Sequence, residues 1–488
     1  MFQIHRSFRS ASVLFLLIAL SLSQIKIVAA KSPAKNQKRA AAAKRDPRGR
    51  RAELQRLAAR RRAEAAHLAA IARQRAAERA AEEALRDHVQ SLIKLDDVAG
   101  EDPEVRRVAV NALGRHAGTV VVMDPKTGRV YSVVNQQWGL REGVKPCSTI
   151  KLVTGLAGLN EKVIDSVNTT AISDSNRVDL TRALAYSKNE YFQQVGGQVG
   201  FNKMMSYAHQ LGLGEKTGIN TRDESAGRVP RLKSGFAVNH MSSHGDDFKV
   251  TALQLGTLIS AMANGGKLIT PFVPRTPQEE KRFTPKVRRV VDISADAFQH
   301  MVPGMIGSVS YGSGRKAGNS QEVIAGKTGT CIEQGAWIGL FTSYAPLNNP
   351  RLAVVVIGRG VDGRNHFPAA VAGRIYRDLG ARFGAPGIER IAGNTESATD
   401  STASDSKSLV VDDEEAEAVA DEKATIAAQQ KIMSPTTIWG DVRQPADSKV
   451  KRVVMPISNR IDPITKPAKA ATEAKPLERP RRVASSRK

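Results

Sequence analysis

The apolar sequence of this chain is concentrated in one stretch, between about residue 105 and residue 386, and this limits what the chain can fold into. Residues 31–104 are rich in Ala and Arg, and the chain after Asn394 is polar, so neither end has the apolar side chains to bury its own core. We therefore predict one enzyme-sized domain at 105–386. A basic helical linker at 31–104 precedes it, and a disordered charged tail at 387–488 follows it.

The net charge of +25 is unevenly distributed along the chain. Lys31–Arg62 contains thirteen Lys or Arg residues against only Asp46 and Glu53. No aromatic side chains that could stack on bases are interleaved with this charge, so we expect no nucleic-acid partner. The charge suits anionic lipid headgroups or an acidic cell envelope instead, and we expect membrane or envelope contact through this region.

The first thirty residues have the composition of an export signal. Arg6 and Arg9 precede an apolar run at Val13–Leu22, and Val28–Ala30 supplies a small-residue cleavage site. We predict that residues 1–30 are a cleaved signal peptide. A retained membrane anchor is the alternative, although the apolar run is short for a bilayer span.

Within the predicted domain, strand patterns lie at both ends and helical patterns lie between them. Gly118–Met123 and Arg129–Val134 flank a turn, which predicts a β-hairpin. Helical periodicity follows from Ser148 to about Gly265, and strand-like runs return at Val323–Thr328, Ala336–Tyr344 and Leu352–Ile357. This order predicts an α+β domain.

Ser148–Lys151 places a hydroxyl and an amine three residues apart, which on a helix brings them within hydrogen-bonding reach on one face. The Ser-x-x-Lys pattern alone is weak, because it occurs eight times in the chain. Lys-Thr-Gly likewise occurs three times, at Lys126, Lys216 and Lys327. Ser148 also follows Pro146 and has an alternative interpretation as an ordinary helix cap. The order of the motifs must therefore decide among them.

Five segments that occur in a fixed order distinguish the functional copies of these motifs from chance matches. They are Lys145–Lys151, Ser187–Phe192, Val250–Leu255, Ala263–Gly266 and Gly326–Thr330. Together they resemble the transpeptidase domain of penicillin-binding proteins across roughly residues 117–380. The resemblance implies an antiparallel sheet flanked by helices, with a helical subdomain. It also implies an acyl-enzyme reaction on the D-alanyl-D-alanine stems of peptidoglycan, with β-lactams as inhibitors and without a cofactor.

The resemblance assigns a role to each matching residue. Ser148 is the expected nucleophile, Lys151 the base, and Ser187 the proton relay to the leaving amine. The expected substrate-binding residues are Asn189, Lys327, Thr328 and Thr330. The amides of Ser148 and Thr330 are expected to form the oxyanion hole. Such an enzyme works in the periplasm or on the outer face of the cytoplasmic membrane.

Two other functions remain open at this point. A serine β-lactamase shares the acylation residues, although no Glu-x-x-Leu-Asn segment follows Asn189 as in one class of these enzymes. A non-catalytic β-lactam sensor or scaffold would keep the fold without turnover. Within the first interpretation, cross-linking and carboxypeptidase trimming differ only in whether an amine or water attacks the acyl-enzyme, and both stay open.

His240 and His244 are spaced like two metal ligands on one helix face. Gly245 and the polar residues beside them predict a loop instead, and no third ligand is apparent in the sequence. We therefore assign no metal.

The two cysteines, Cys147 and Cys331, immediately flank Ser148 and Thr330. In an exported protein they have the opportunity to form a disulfide, which would close a long loop and stabilise the domain. We favour two buried free thiols, because strand alternation would point Cys331 away from Cys147.

Overall fold

A computed structural model describes the predicted domain, the long helix before it and a short helical segment near the C-terminus. The described residues are 47–165, 178–221, 223–319, 321–384, 415–416 and 418–424. The predicted export signal at 1–30 lies outside these ranges, and so does most of the predicted tail.

Seven strands form two antiparallel sheets in the described part of the chain. They are β1 Gly118–Met123, β2 Val130–Val134, β3 Lys267–Ile269, β4 Val287–Val290, β5 Ala325–Glu333, β6 Ala336–Ala345 and β7 Leu352–Arg359. The main sheet has the order β2-β1-β7-β6-β5, and β3 pairs with β4 in a separate small sheet. Because β1 pairs with β7, the two ends of the domain meet in the middle of the main sheet.

Eleven α-helices occur in the described residues outside the C-terminal segment. They are α1 Pro47–Ile93, α2 Pro103–Leu113, α3 Lys151–Asn160, α4 Leu180–Ala185, α5 Asn189–Val199, α6 Phe201–Gln210, α7 Phe236–His244, α8 Ala252–Ala263, α9 Pro277–Arg282, α10 Ala295–Ser310 and α11 Phe367–Phe383. Helices α3 to α10 lie between the first and last strands of the main sheet in sequence. The predicted α+β class is confirmed.

Helices cover both faces of the main sheet. Val120 and Val122 of β1 belong to a core shared with α2 and α11, whereas Val121 and Met123 belong to a core shared with α3 and α8. Successive side chains of a strand point to opposite faces, so a strand covered on both sides must be apolar throughout. This explains why β1 reads Gly-Thr-Val-Val-Val-Met, with every residue buried.

Helix α1 lies within the stretch predicted as a basic helical linker, and most of it is exposed. Its C-terminal end packs on the domain, where Val89 is fully buried together with Ala117 and Trp138. The described ranges contain no helix that combines the length and the apolar composition needed to cross a bilayer. Because Val89 is buried against the domain, the packed unit begins before the boundary at residue 105 that composition predicts.

Candidate active site

Ser148, the expected nucleophile, lies in a single 3₁₀ turn, Cys147–Ile150, directly before α3, and we call these four residues the nucleophile turn. Its side chain is 6% exposed, at the base of a narrow cleft. The turn begins with Cys147 at φ 48°, a left-handed conformation that a non-glycine residue rarely adopts. Such conformations persist where the surrounding structure enforces them, often at functional sites.

Lys151 is the first residue of α3, and its side chain is completely buried. Its Nζ lies 2.9 Å from Ser148 Oγ and 2.9 Å from Ser187 Oγ. It also donates to the Ser187 carbonyl oxygen at 2.6 Å. One amine therefore contacts both hydroxyls to which the family resemblance assigned proton transfer.

Ser187 and Asn189 are placed by the junction between α4 and α5. Ser187 has φ 57°, a second positive value for a non-glycine residue in the site. Asn189 is the first residue of α5, and its Nδ2 lies 3.1 Å from His244 Nε2. Both side chains are buried beside the nucleophile turn.

Strand β5 forms the opposite wall of the cleft. Lys327 is fully buried, and its Nζ lies 2.8 Å from Ser187 Oγ and 3.0 Å from the Thr328 carbonyl oxygen. Thr330 lines the same cavity as Ser148 and Asn189. A Cβ on Gly329 would lie 3.1 Å from the Pro146 carbonyl oxygen, so the absence of a side chain there lets β5 approach the nucleophile turn.

All the site residues predicted from the sequence therefore meet in one place. They are Ser148, Lys151, Ser187, Asn189, Lys327, Thr328 and Thr330. The other two Lys-Thr-Gly segments lie outside this site: Lys126 is in the turn between β1 and β2, and Lys216 is an exposed loop residue.

Cys147 and Cys331 form a disulfide, with their Cα atoms 5.6 Å apart. The preference for two free thiols was wrong. Residues 327, 329 and 331 share one face of β5, and this face points toward the nucleophile turn, as the close approach of Gly329 shows. Strand alternation therefore directs Cys331 toward Cys147 rather than away from it, and the bond ties β5 to the turn that carries Ser148.

His240 and His244 lie on helix α7, not in the predicted loop. Gly245 adopts the left-handed conformation (φ 72°, ψ 32°) that ends a helix, so it closes α7 after His244 instead of interrupting it. The two imidazole rings stack with centroids 3.9 Å apart. The two histidines therefore share one helix face beside Asn189.

The histidine pair meets a carboxylate from the C-terminal segment. Asp421 Oδ2 lies 2.9 Å from His244 Nε2, and Asp421 Oδ1 lies 3.4 Å from His240 Nε2. Burial lowers the pKa of His240, but hydrogen bonds with Asp246 and Asp421 outweigh it and raise the pKa to about 9. Burial instead lowers the pKa of His244. A third possible metal ligand, which the sequence analysis did not find, is thus present.

The C-terminal segment, defined as residues 415–416 and 418–424, is helical. This differs from the disorder predicted for all of 387–488, because composition does not reveal that these few side chains pack on another surface. Ala418, Asp421 and Glu422 line the cavity that also contains Ser148. With the segment in place this cavity measures about 50 Å³.

Sequence reasoning missed two neighbours of the predicted site. Ser313 Oγ lies 2.6 Å from Thr328 Oγ1, although Ser313 begins one of the discarded Ser-x-x-Lys patterns. Asp421 reaches the site from a polar region with no motif of its own. Neither position carries a signal that could have been read without the tertiary structure.

Comparison with known proteins agrees with this geometry. The family described as "Penicillin binding protein transpeptidase domain" matches residues 118–380. Peptidoglycan D,D-transpeptidase MrdA of Acinetobacter baumannii is 26% identical over 332 residues, which cover 51% of this chain and 49% of that protein. Stage V sporulation protein D of Bacillus subtilis is 26% identical over 311 residues, covering 53% and 48%. The chain thus spans about half the length of these curated relatives.

A solved structure shows the same fold. The transpeptidase (TP) domain of Burkholderia pseudomallei penicillin-binding protein 3 superimposes with a TM-score of 0.52 at 20% sequence identity. The match covers 60% of this chain and 98% of that domain. Because the family match extends over more than half of the 488 residues, this chain belongs to the penicillin-binding protein transpeptidase domain family.

Proposed function

We propose that this protein is a serine D,D-transpeptidase that acts on the D-alanyl-D-alanine ends of peptidoglycan stem peptides through an acyl-enzyme at Ser148. One observation carries the proposal: the buried Nζ of Lys151 lies 2.9 Å from both Ser148 Oγ and Ser187 Oγ. Burial and the neighbouring cation of Lys327 both favour a neutral Lys151 amine. A neutral amine at this distance is a competent base for the serine hydroxyl.

Acylation begins when Lys151 accepts the proton of Ser148 Oγ. The oxygen attacks the carbonyl carbon of the penultimate D-alanine, and the negative charge that develops on the carbonyl oxygen is held by the amides of Ser148 and Thr330. The disulfide next to both residues supports this role, because it fixes their backbones relative to each other.

The tetrahedral intermediate then collapses with loss of the terminal D-alanine. The C–N bond breaks, Ser187 Oγ gives its proton to the leaving nitrogen, and Ser187 recovers a proton from Lys151 through their 2.9 Å contact. An acceptor amine from a second stem attacks the ester and completes the cross-link. Attack by water gives a carboxypeptidase product instead.

Substrate recognition falls to the residues around this centre. Lys327 and the hydroxyls of Thr328 and Thr330 offer charge-assisted hydrogen bonds to the terminal carboxylate of the stem. Asn189, on the opposite wall, would hold a peptide amide of the substrate. β-Lactams mimic this dipeptide end and acylate Ser148 in the same way.

We further propose that the enzyme is exported and works in the cell envelope, in the periplasm or anchored to the outer face of the membrane. The disulfide between Cys147 and Cys331 supports an oxidising compartment. The predicted signal at 1–30 and the basic residues 31–62 agree with export and envelope contact. We also propose that the chain divides into a basic linker at 31–104, a catalytic domain at 105–386 and a charged tail at 387–488, with the end of α1 docked on the domain and the C-terminal segment packed beside the cleft.

The function can be tested by labelling the protein covalently with penicillin and measuring how fast the bound label is released. The purified protein is labelled, excess drug is removed, and the bound label is followed over time. We expect the label to stay bound and to be released only over many minutes, because a transpeptidase hydrolyses its acyl-enzyme with penicillin slowly. Release within seconds would identify a β-lactamase, and an absence of labelling would identify a non-catalytic scaffold; either result would overturn the proposal.

A further inference from the structure

His240 and His244 present the same ring nitrogen on the same side of α7. Their Nε2 atoms both face Asp421, and the ligand atoms of the three residues all lie within 4.8 Å of one another. Tetrahedral coordination with bonds of about 2.0–2.2 Å places ligand atoms about 3.4 Å apart. Small side-chain movements therefore suffice to bring the three atoms around one ion.

The second nitrogen of each imidazole ring, Nδ1, already has a hydrogen-bond partner, as it does in metal-binding histidines. His240 Nδ1 pairs with the Asp246 carboxylate, which in turn pairs with Lys145 Nζ at 2.6 Å. His244 Nδ1 lies 2.6 Å from Ser243 Oγ and 3.3 Å from the His240 carbonyl oxygen. Hydrogen bonds of this kind orient metal-binding histidines and leave the Nε2 lone pair for the ion.

The third ligand arrives on a segment that covers the catalytic cleft. Glu415, at the beginning of the segment, bonds Arg364 Nη2 at 2.9 Å and the Asn365 amide at 2.5 Å. Asp421 fastens the other end to α7. The remaining cavity of about 50 Å³ is far below the ~300–1,000 Å³ of typical ligand pockets, so the seated segment leaves little room for a stem peptide beside Ser148.

We propose that His240, His244 and Asp421 form a binding site for a divalent transition metal ion of the zinc class, and that the bound ion holds the C-terminal segment over the catalytic cleft. Two imidazoles and one carboxylate are a donor set that zinc accepts, with water or Glu422 available on the cavity side. The ion competes with the proton on His240 and with the 3.1 Å contact between His244 and Asn189. The effect on the cleft rests on the proposed function, whereas metal binding does not.

Calorimetric titration of Zn²⁺ into the tag-free full chain, stripped with a chelator, tests the site. We expect one ion per chain and an affinity at least tenfold weaker in Asp421→Asn and in His240→Gln. His209→Gln, an exposed histidine on α6, is the matched control and should bind as the wild type does. Equal affinity in Asp421→Asn and wild type, or no binding at micromolar Zn²⁺, would overturn the site.

The rate of penicillin acylation, measured with Zn²⁺ and with chelator, tests the effect on the cleft. We expect Zn²⁺ to slow acylation severalfold in the wild type and to leave the rate unchanged in Asp421→Asn. An equal ratio in both proteins would refute closure by the metal. Ser148→Ala should still bind Zn²⁺, so a failure of the acyl-enzyme proposal is distinguishable from a failure of the metal site.

Discussion

At the scale of single residues, the site depends on one hydroxyl placed between two buried amines. Ser187 Oγ lies 2.9 Å from Lys151 Nζ and 2.8 Å from Lys327 Nζ. Its positive φ directs the side chain into the cleft from the short α4–α5 junction. Two positive charges this close repel each other, and this repulsion favours the loss of one proton. A lysine that acts as a base must be in this neutral form.

Lys327→Ala should slow penicillin acylation by about 10- to 100-fold, because a charge-assisted hydrogen bond worth about 1.5–3 kcal/mol is lost. Lys216→Ala is the matched control, since Lys216 begins another Lys-Thr-Gly but is exposed in a loop. Second-order acylation rates of both variants provide the measurement. Equal losses would show that the assignment of the Lys-Thr-Gly motif is wrong.

Replacing both cysteines, as Cys147→Ala with Cys331→Ala, should lower the free energy of unfolding by about 2–4 kcal/mol. Acylation should slow as well, because the bond positions the turn of Ser148 against β5. Urea unfolding with and without reductant measures the first effect. The account is contradicted if reductant destabilises the double variant as much as it destabilises the wild type.

The seven residues of the proposed site could be identified from the sequence because each sits in a motif whose order along the chain is distinctive. The disulfide could not be decided from the sequence. Its formation depends on which face of β5 meets the nucleophile turn, and this follows from the pairing of β5 with β6 and the close approach at Gly329. The alternation of side chains along a strand shows which residues share a face, but it does not show which neighbouring element each face contacts.

At the scale of elements, α1 is fastened to the domain by a buried carboxylate. Asp362, just after β7, accepts two hydrogen bonds from Arg86 of α1 and one from the Ala117 amide, and it contacts His116. Burial raises the pKa of this carboxyl, but these partners outweigh it and lower the pKa to about 2. The charged carboxylate therefore stabilises the folded state.

The contribution of Asp362 should depend on pH in a defined direction. A carboxyl with a lowered pKa stabilises the fold above its ordinary pKa of about 3.9, and this contribution is lost as the pH falls toward about 2. The difference in unfolding free energy between wild type and Asp362→Asn should therefore shrink between about pH 4 and pH 2. Asp87→Asn, an exposed carboxyl on α1, is the control. A difference that is constant with pH would contradict the account.

The five strands of the main sheet could be predicted because their apolar runs are compact and bounded by turns, whereas the short strands β3 and β4 were not predicted. The predicted run Ala336–Tyr344, for example, is strand Ala336–Ala345 in the structure. Helix α7 was missed because Gly245 was interpreted as part of a loop, whereas a left-handed glycine ends a helix. The docking of α1 was also missed, since the few buried side chains and ion pairs at its C-terminal end leave little trace in a polar helix.

At the scale of the whole molecule, the C-terminal segment brings a polar region of the sequence onto the cleft of the catalytic domain. Glu415 is only 4% exposed, although it belongs to an acidic cluster that composition assigns to solvent. Polar segments of this kind bury charged contacts rather than an apolar face, so hydrophobic periodicity cannot detect them.

A chain that ends at Asn394 should keep its fold and be acylated by penicillin severalfold faster than the full chain in the presence of Zn²⁺. The segment that covers Ser148 is absent from this chain, while every strand and helix α1–α11 remains. A chain that ends at Ile426 keeps the segment and is the matched control. A folded Asn394 truncation that is acylated no faster than this control would contradict the covering role.

The central claim is that Ser148 forms the acyl-enzyme, and the mass of the intact protein tests it most directly. Full chain treated with chelator and benzylpenicillin should gain the mass of one drug molecule, and peptide mapping should locate it on Ser148. Ser148→Ala should gain nothing, whereas Ser91→Ala, in an exposed Ser-x-x-Lys, should be modified as the wild type is. An adduct that persists in Ser148→Ala, or that maps to another residue, would contradict the account.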